Sequence, residues 1–90
     1  MHFTYYPQGT CSTEIAFDMD GQGIIRNVQY TKGCNGNLKA VSRLVEGLHY
    51  QEIIRKCRGI FCGSKGTSCS DQLSWAVELA WQKMQLENQA

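Results

Sequence analysis

The sequence has no surplus of either charge. Nine Lys and Arg stand against eight Asp and Glu, a formal net charge of +1 over 90 residues. Phosphate backbones are bound through an excess of cations, so no nucleic acid is expected as partner. No apolar run reaches the length of a bilayer span, so no membrane partner is expected either. The stretch Met1-His2-Phe3-Thr4-Tyr5-Tyr6-Pro7 lacks the basic region followed by an apolar run that marks a secretion signal. The expected location is therefore the cytoplasm, where thiols stay reduced. There is no C-x-x-C pair, no G-x-G-x-x-G, and no Gly-Lys-Ser/Thr after the glycine-rich turn at Gly33–Asn37. Spacing thus supports neither a zinc finger nor a phosphate loop. No Ser-His-Asp set presents itself. Internal repeats, low-complexity segments and interdomain linkers are also missing.

What is present suits one folded domain over residues 1–90. Hydrophobic residues make up 42% and charged residues 19%, a balance that argues against disorder. A chain of this size buries only about 60–65% of its unfolded surface, so a bound metal or a second subunit would add usefully to stability. Monomer and homodimer are both compatible with that.

The first ten residues read as a short extended lead-in and a turn. From Thr13 to Asp18 the pattern alternates: Ile15, Phe17 and Met19 share one face, and Glu14, Ala16 and Asp18 the other, the period of a half-buried strand. Asp20-Gly21-Gln22-Gly23 is a hairpin turn signal. Ile24 to Thr31 reads as the partner strand, its alternation interrupted at Arg26. After Gly33-Cys34-Asn35-Gly36-Asn37, a helix carries Leu38, Val41, Leu44, Val45 and Leu48, with Gly47 where it should end. A second helix runs from about His49 to Cys57, with Ile53, Ile54 and Cys57 on its apolar face and Gly59 closing it. The last helix opens with Ser68-Cys69-Ser70-Asp71, a capping box. Leu73, Ala76, Val77, Ala80 and Met84 form its stripe, Trp75 and Trp81 flank it, and the polar tail from Gln85 to Ala90 is expected to fray. The simplest packing is an α+β fold, a two- or three-stranded antiparallel sheet covered on one face by three helices.

Five cysteines are many for 90 residues, and without a secretion signal an odd number points to metal or redox chemistry rather than disulfides. Cys57 sits one turn beyond Ile53 and Ile54 and reads as core. Cys11, Cys34, Cys62 and Cys69 each sit at a junction between elements, where chemistry usually resides. Cys69 and Cys34 adjoin helix N-termini, which favour the thiolate, the form that serves as ligand and nucleophile. His2 and His49 read as surface or capping residues. Three functions follow. Cys11, Cys34, Cys62 and Cys69 would hold Zn²⁺ or an iron–sulfur cluster. Alternatively, Cys62 and Cys69 would form a thiol–disulfide relay across the Gly63–Gly66 connector. A non-catalytic interaction module would instead present Trp75 and Trp81 to a partner.

The run Gly66-Thr67-Ser68-Cys69-Ser70-Asp71-Gln72-Leu73 resembles the signature of the TSCPD-domain family, named for Thr-Ser-Cys-Pro-Asp. The likeness extends through Cys11-Ser12, Gly33-Cys34-Asn35-Gly36-Asn37, Leu44-Val45-Glu46-Gly47 and Gly59-Ile60-Phe61-Cys62-Gly63. Ser70 stands where the family has Pro, a change tolerated early in a helix. Family members occur as small stand-alone bacterial proteins and near the C-terminus of cobalamin-dependent ribonucleotide reductases. The resemblance implies a partner in a ribonucleotide reductase or its reducing system, and a role in deoxyribonucleotide supply. Autonomous reduction by this chain is not implied, since it needs a radical-generating cofactor and an enclosed substrate site. More distantly, the layout is similar to NifU-like iron–sulfur scaffold proteins, with Cys11, Cys34 and Cys69 at the scaffold positions. Cys62 would be a fourth thiolate, and Ser12, Thr13 and Ser68 stand in place of the scaffold's Asp and His.

Overall fold

In the computed structural model, residues 1–7, 13–32, 35–60 and 69–88 are described, without the side chains of 35–37 and 88. The alternating segment is strand β2 (Glu14–Met19), which buries Ile15, Phe17 and Met19 and leaves the residues between them half-exposed. The extended lead-in is itself a strand, β1 (His2–Tyr5). It pairs antiparallel with β2 from His2↔Asp18 to Tyr5↔Ile15, and Phe3 stacks on Phe17 with ring centroids 5.8 Å apart. Its ladder bonds and the Phe3 contact are long-range, which is why the segment alone reads only as extended.

The turn after β2 is held by Asp20. Its Oδ1 accepts the N–H groups of Gln22 (2.9 Å) and Ile24 (3.0 Å), and its backbone carbonyl accepts that of Gly23 (3.0 Å). Strand β3 (Ile25–Thr31) then pairs with β2, giving a three-stranded antiparallel sheet in the order β1-β2-β3. The register shifts by one residue between Ala16↔Gln29 and Asp18↔Arg26. The extra residue is accommodated by Asn27, whose φ is +58°, a bulge. The interruption at Arg26 is thereby explained: Ile25 and Val28 are both buried, while Arg26 and Asn27 between them are both exposed.

Helix α1 (Asn35–Val45) packs on β3, with Val41 and Val45 joining the core and Leu38 also buried. Two expectations for this helix are corrected. Leu44 is 75% exposed, because it lies roughly 100° around the helix from Val45, off the line of residues that meets the sheet. Leu48 lies beyond the helix end. Gly47 turns the chain at φ +80°, its N–H donates to the Ile25 carbonyl (2.7 Å), and the Leu48 carbonyl accepts the Ile25 N–H (2.8 Å).

Helix α2 (Tyr50–Cys57) begins at His49, whose Nδ1 accepts the Gln51 N–H at 3.2 Å, so the capping role expected of that histidine is met. Tyr50, Ile53 and Cys57 are buried. Helix α3 (Cys69–Asn88) packs along α2 and reaches β1 and β2, burying the expected stripe from Leu73 to Met84. The tail is corrected: Gln85 to Asn88 continue α3. Met84 is anchored in the core, and Gln, Leu and Glu are good helix formers. None of the described helices is long and apolar enough to cross a membrane.

Candidate functional site

Cys69 is the first residue of α3 and is half-buried. Tyr30, near the end of β3, donates its hydroxyl to the Cys69 carbonyl at 3.3 Å. Burial raises the Tyr30 phenol above its ordinary pKa, and negative charge on the sulfurs of Cys69 and Cys57 adds in the same direction. The hydroxyl therefore stays a donor through the physiological range. Cys57, at the end of α2, is a buried free thiol, and burial raises its pKa too. That disfavours the thiolate a ligand or nucleophile requires, and the core role expected for Cys57 stands.

A second set of bonds fixes the start of α3 against the end of α2. Asp71 is 5% exposed, and its Oδ1 accepts the Gly59 N–H at 2.8 Å. Its expected capping partner, Ser68, lies outside the described residues. Arg58 donates through Nε to Ser74 Oγ (3.2 Å), through Nη2 to the Ser74 carbonyl (3.2 Å) and through both terminal nitrogens to Glu78. Its guanidinium lies 3.7 Å from the centroid of the Trp75 ring, a cation–π arrangement. Ser74 is fully buried and donates to the Asp71 carbonyl. Tyr5 on β1 reaches Gln72 Oε1 at 3.1 Å, joining the first strand to the same helix turn.

Across the sheet from this helix start, the open ends of β2 and β3 are pinned together. Thr13 donates its N–H to the Thr31 carbonyl at 2.8 Å, and its hydroxyl reaches the same oxygen at 3.3 Å.

Of the four junction cysteines, the described residues include Cys69 alone; Cys11, Cys34 and Cys62 lie outside them. No group of three or more metal-ligating side chains occurs among the described residues. Both histidines sit away from Cys69: His2 is exposed and pairs with Asp18 (2.9 Å), and His49 caps α2. The roles of Tyr30, Arg58 and Asp71 as the frame around Cys69 were not readable as such. Tyr30 continues the buried face of β3 only once the bulge is known, and no local signal marks Arg58.

A three-stranded antiparallel sheet with three helices defines a small α+β domain. The TSCPD-domain family model matches residues 3–81, and the chain belongs to that family. No curated protein and no solved structure matches it.

Proposed function

We propose that the chain is a small accessory domain in which Cys11, Cys34, Cys62 and Cys69 hold a metal, either Zn²⁺ or an iron–sulfur cluster, in the service of ribonucleotide reduction. One observation carries this: the described flanks of all four cysteines are tied together at one end of the fold. Thr13, two residues after Cys11, is bonded to Thr31, three residues before Cys34. Tyr30 reaches across to Cys69, and Gly59, three residues before Cys62, is bonded to Asp71. These anchors stand two or three residues from Cys11, Cys34 and Cys62 in sequence, and a chain spans at most about 3.6 Å per residue. Four thiolates satisfy the tetrahedral sulfur ligation that both zinc and iron–sulfur clusters accept. The partner would be a ribonucleotide reductase or its reducing system, in the reducing cytoplasm, and the domain would not itself carry out the reduction.

The test is protein purified without oxygen, analysed for Zn and Fe together with its visible spectrum, with Cys→Ser changes at each of the five positions. About one zinc or one cluster per chain is expected, lost in the changes at 11, 34, 62 and 69 and kept in Cys57→Ser. Metal-free protein in every preparation would overturn metal binding. A reversible Cys62–Cys69 disulfide in such protein would favour a thiol relay instead.

A further inference from the structure

A groove of about 480 Å³ runs along the open edge of β3 beside α1. Val28 and Leu38, both buried, form its apolar floor. Lys32 at the end of β3, and Lys39 and Arg43 on α1, stand around it, and no Asp or Glu lines it. In a chain of net charge +1, this is a local concentration of three cations against no anion.

The other charged side chains sharpen the contrast. Arg26 pairs with Asp20, Arg55 and Lys56 with Glu52, and Arg58 with Glu78. Lys32, Lys39 and Arg43 have no ion pair among the described residues, and neither does Lys83, but only the first three share a groove. Glu46, three residues after Arg43, is turned to the Asn27 N–H at 2.9 Å. Lys39 and Arg43 stand four residues apart, where like charges repel and weaken a helix. Lysines at a sheet edge have an ordinary use in preventing strand-to-strand aggregation. Lys32, one residue past β3, stands where it can serve that use, but the two cations on α1 do not. Convergent cations around a concave, apolar-floored space focus the field and favour an anion more than the same charges on a flat surface would.

We propose that this groove binds a small phosphorylated molecule, its phosphate oxygens held by Lys32, Lys39 and Arg43 and its less polar part resting on Val28 and Leu38. Arg43 suits the role because a planar guanidinium can donate to two phosphate oxygens at once. Tyr30 lines the same groove, so an occupant would adjoin the strand end that contacts Cys69. The assignment stands whether or not the cysteines hold a metal.

The experiment is a titration of the ¹⁵N-labelled full chain with methyl phosphate and with phenyl phosphate at constant ionic strength, following backbone amide shifts. Saturable shifts are expected at Lys32, Lys39, Ser42 and Arg43, with phenyl phosphate binding more tightly. Lys39→Gln and Arg43→Gln should each weaken binding about three- to fivefold, and Lys83→Gln should leave it unchanged. All three are exposed positions, and Lys32→Gln, just past β3 and outside the helix, provides an independent check should a helix variant lose helicity. Shifts that do not saturate, that chloride reproduces, or that persist in the Lys39→Gln/Arg43→Gln double variant would overturn the site. Equal affinity for the two phosphates would overturn the role of the apolar floor.

Discussion

The two ends of the sheet are built on different principles. At the hairpin end, backbone shape and close packing do the work. Gly23 has φ +86°, and a Cβ there would stand 2.8 Å from the Tyr50 ring, 3.0 Å from His49 and 3.2 Å from Trp81. Tyr50 and Trp81 stack at 4.7 Å between centroids, and the Tyr50 N–H donates to the Gly23 carbonyl at 2.8 Å. At the opposite end, where the cysteine-bearing segments attach, side chains reach between elements distant in sequence: Tyr30 to Cys69, Gly59 to Asp71, Tyr5 to Gln72. The first end is closed by local turn chemistry and aromatic packing. The second is held by polar contacts that join the start of α3 to β1, to β3 and to the end of α2.

The largest effect should come from breaking the hairpin end. Gly23→Ala combines a left-handed backbone with three close contacts, and should cost roughly 2–4 kcal/mol in urea unfolding while leaving metal content per folded chain unchanged. Asp71→Ala strikes the other end. It removes a buried carboxylate and its hydrogen bond from the Gly59 N–H, and should cost about 1–2 kcal/mol. If the cysteine end is a metal frame, Asp71→Ala should also speed metal loss to a chelator, and Gly23→Ala should not. A chelation rate raised equally by both would dissolve the distinction between the ends.

Tyr30→Phe removes one hydrogen bond to the Cys69 carbonyl and should cost about 1 kcal/mol. The ends should also respond to pH in opposite directions. Asp20 is lowered below its ordinary 3.8, first by the Ile24 N–H. The stability it gives the hairpin is therefore fully present above that value and is lost as pH falls through the lowered one. Tyr30 is raised, chiefly by burial, so its contribution is complete below the ordinary tyrosine value of 10.0 and declines as pH rises beyond it. Amide exchange should show Gln22 and Ile24 losing protection in acid, and the start of α3 losing it in alkali. Smallest of all, Cys57 should alkylate at least about tenfold more slowly than an exposed thiol at neutral pH, by mass spectrometry of the native protein, because it is buried and its pKa is raised. Rapid alkylation would remove it from the core.

Local chemistry made much of the hairpin end legible. Alternation in Glu14–Met19, the Asp20-Gly21 turn, Gly47 and Gly59 as helix stops, and the stripe from Leu73 to Met84 all act within a few residues of themselves. The bulge at Asn27, the pairing of His2–Tyr5, the exposure of Leu44 and the continuation of α3 to Asn88 were not legible, because each depends on what a distant element does. At the cysteine end, the junction placement of Cys69 and the buried character of Cys57 followed from sequence pattern. The Tyr30 and Asp71 contacts that frame Cys69 did not, since they span 39 and 12 residues.

By itself, then, the sequence determined the periodicities, the turns, the family and the thiols set at element junctions, all properties of short windows or of motif combinations. Only the tertiary structure decided which element ends meet, through Thr13–Thr31, Tyr30–Cys69 and Gly59–Asp71, and that Lys32, just past β3, lines one groove with Lys39 and Arg43 of α1. The reason is that periodicity states which face of an element is buried, whereas strand register and helix packing, set by long-range contacts, state what that face meets.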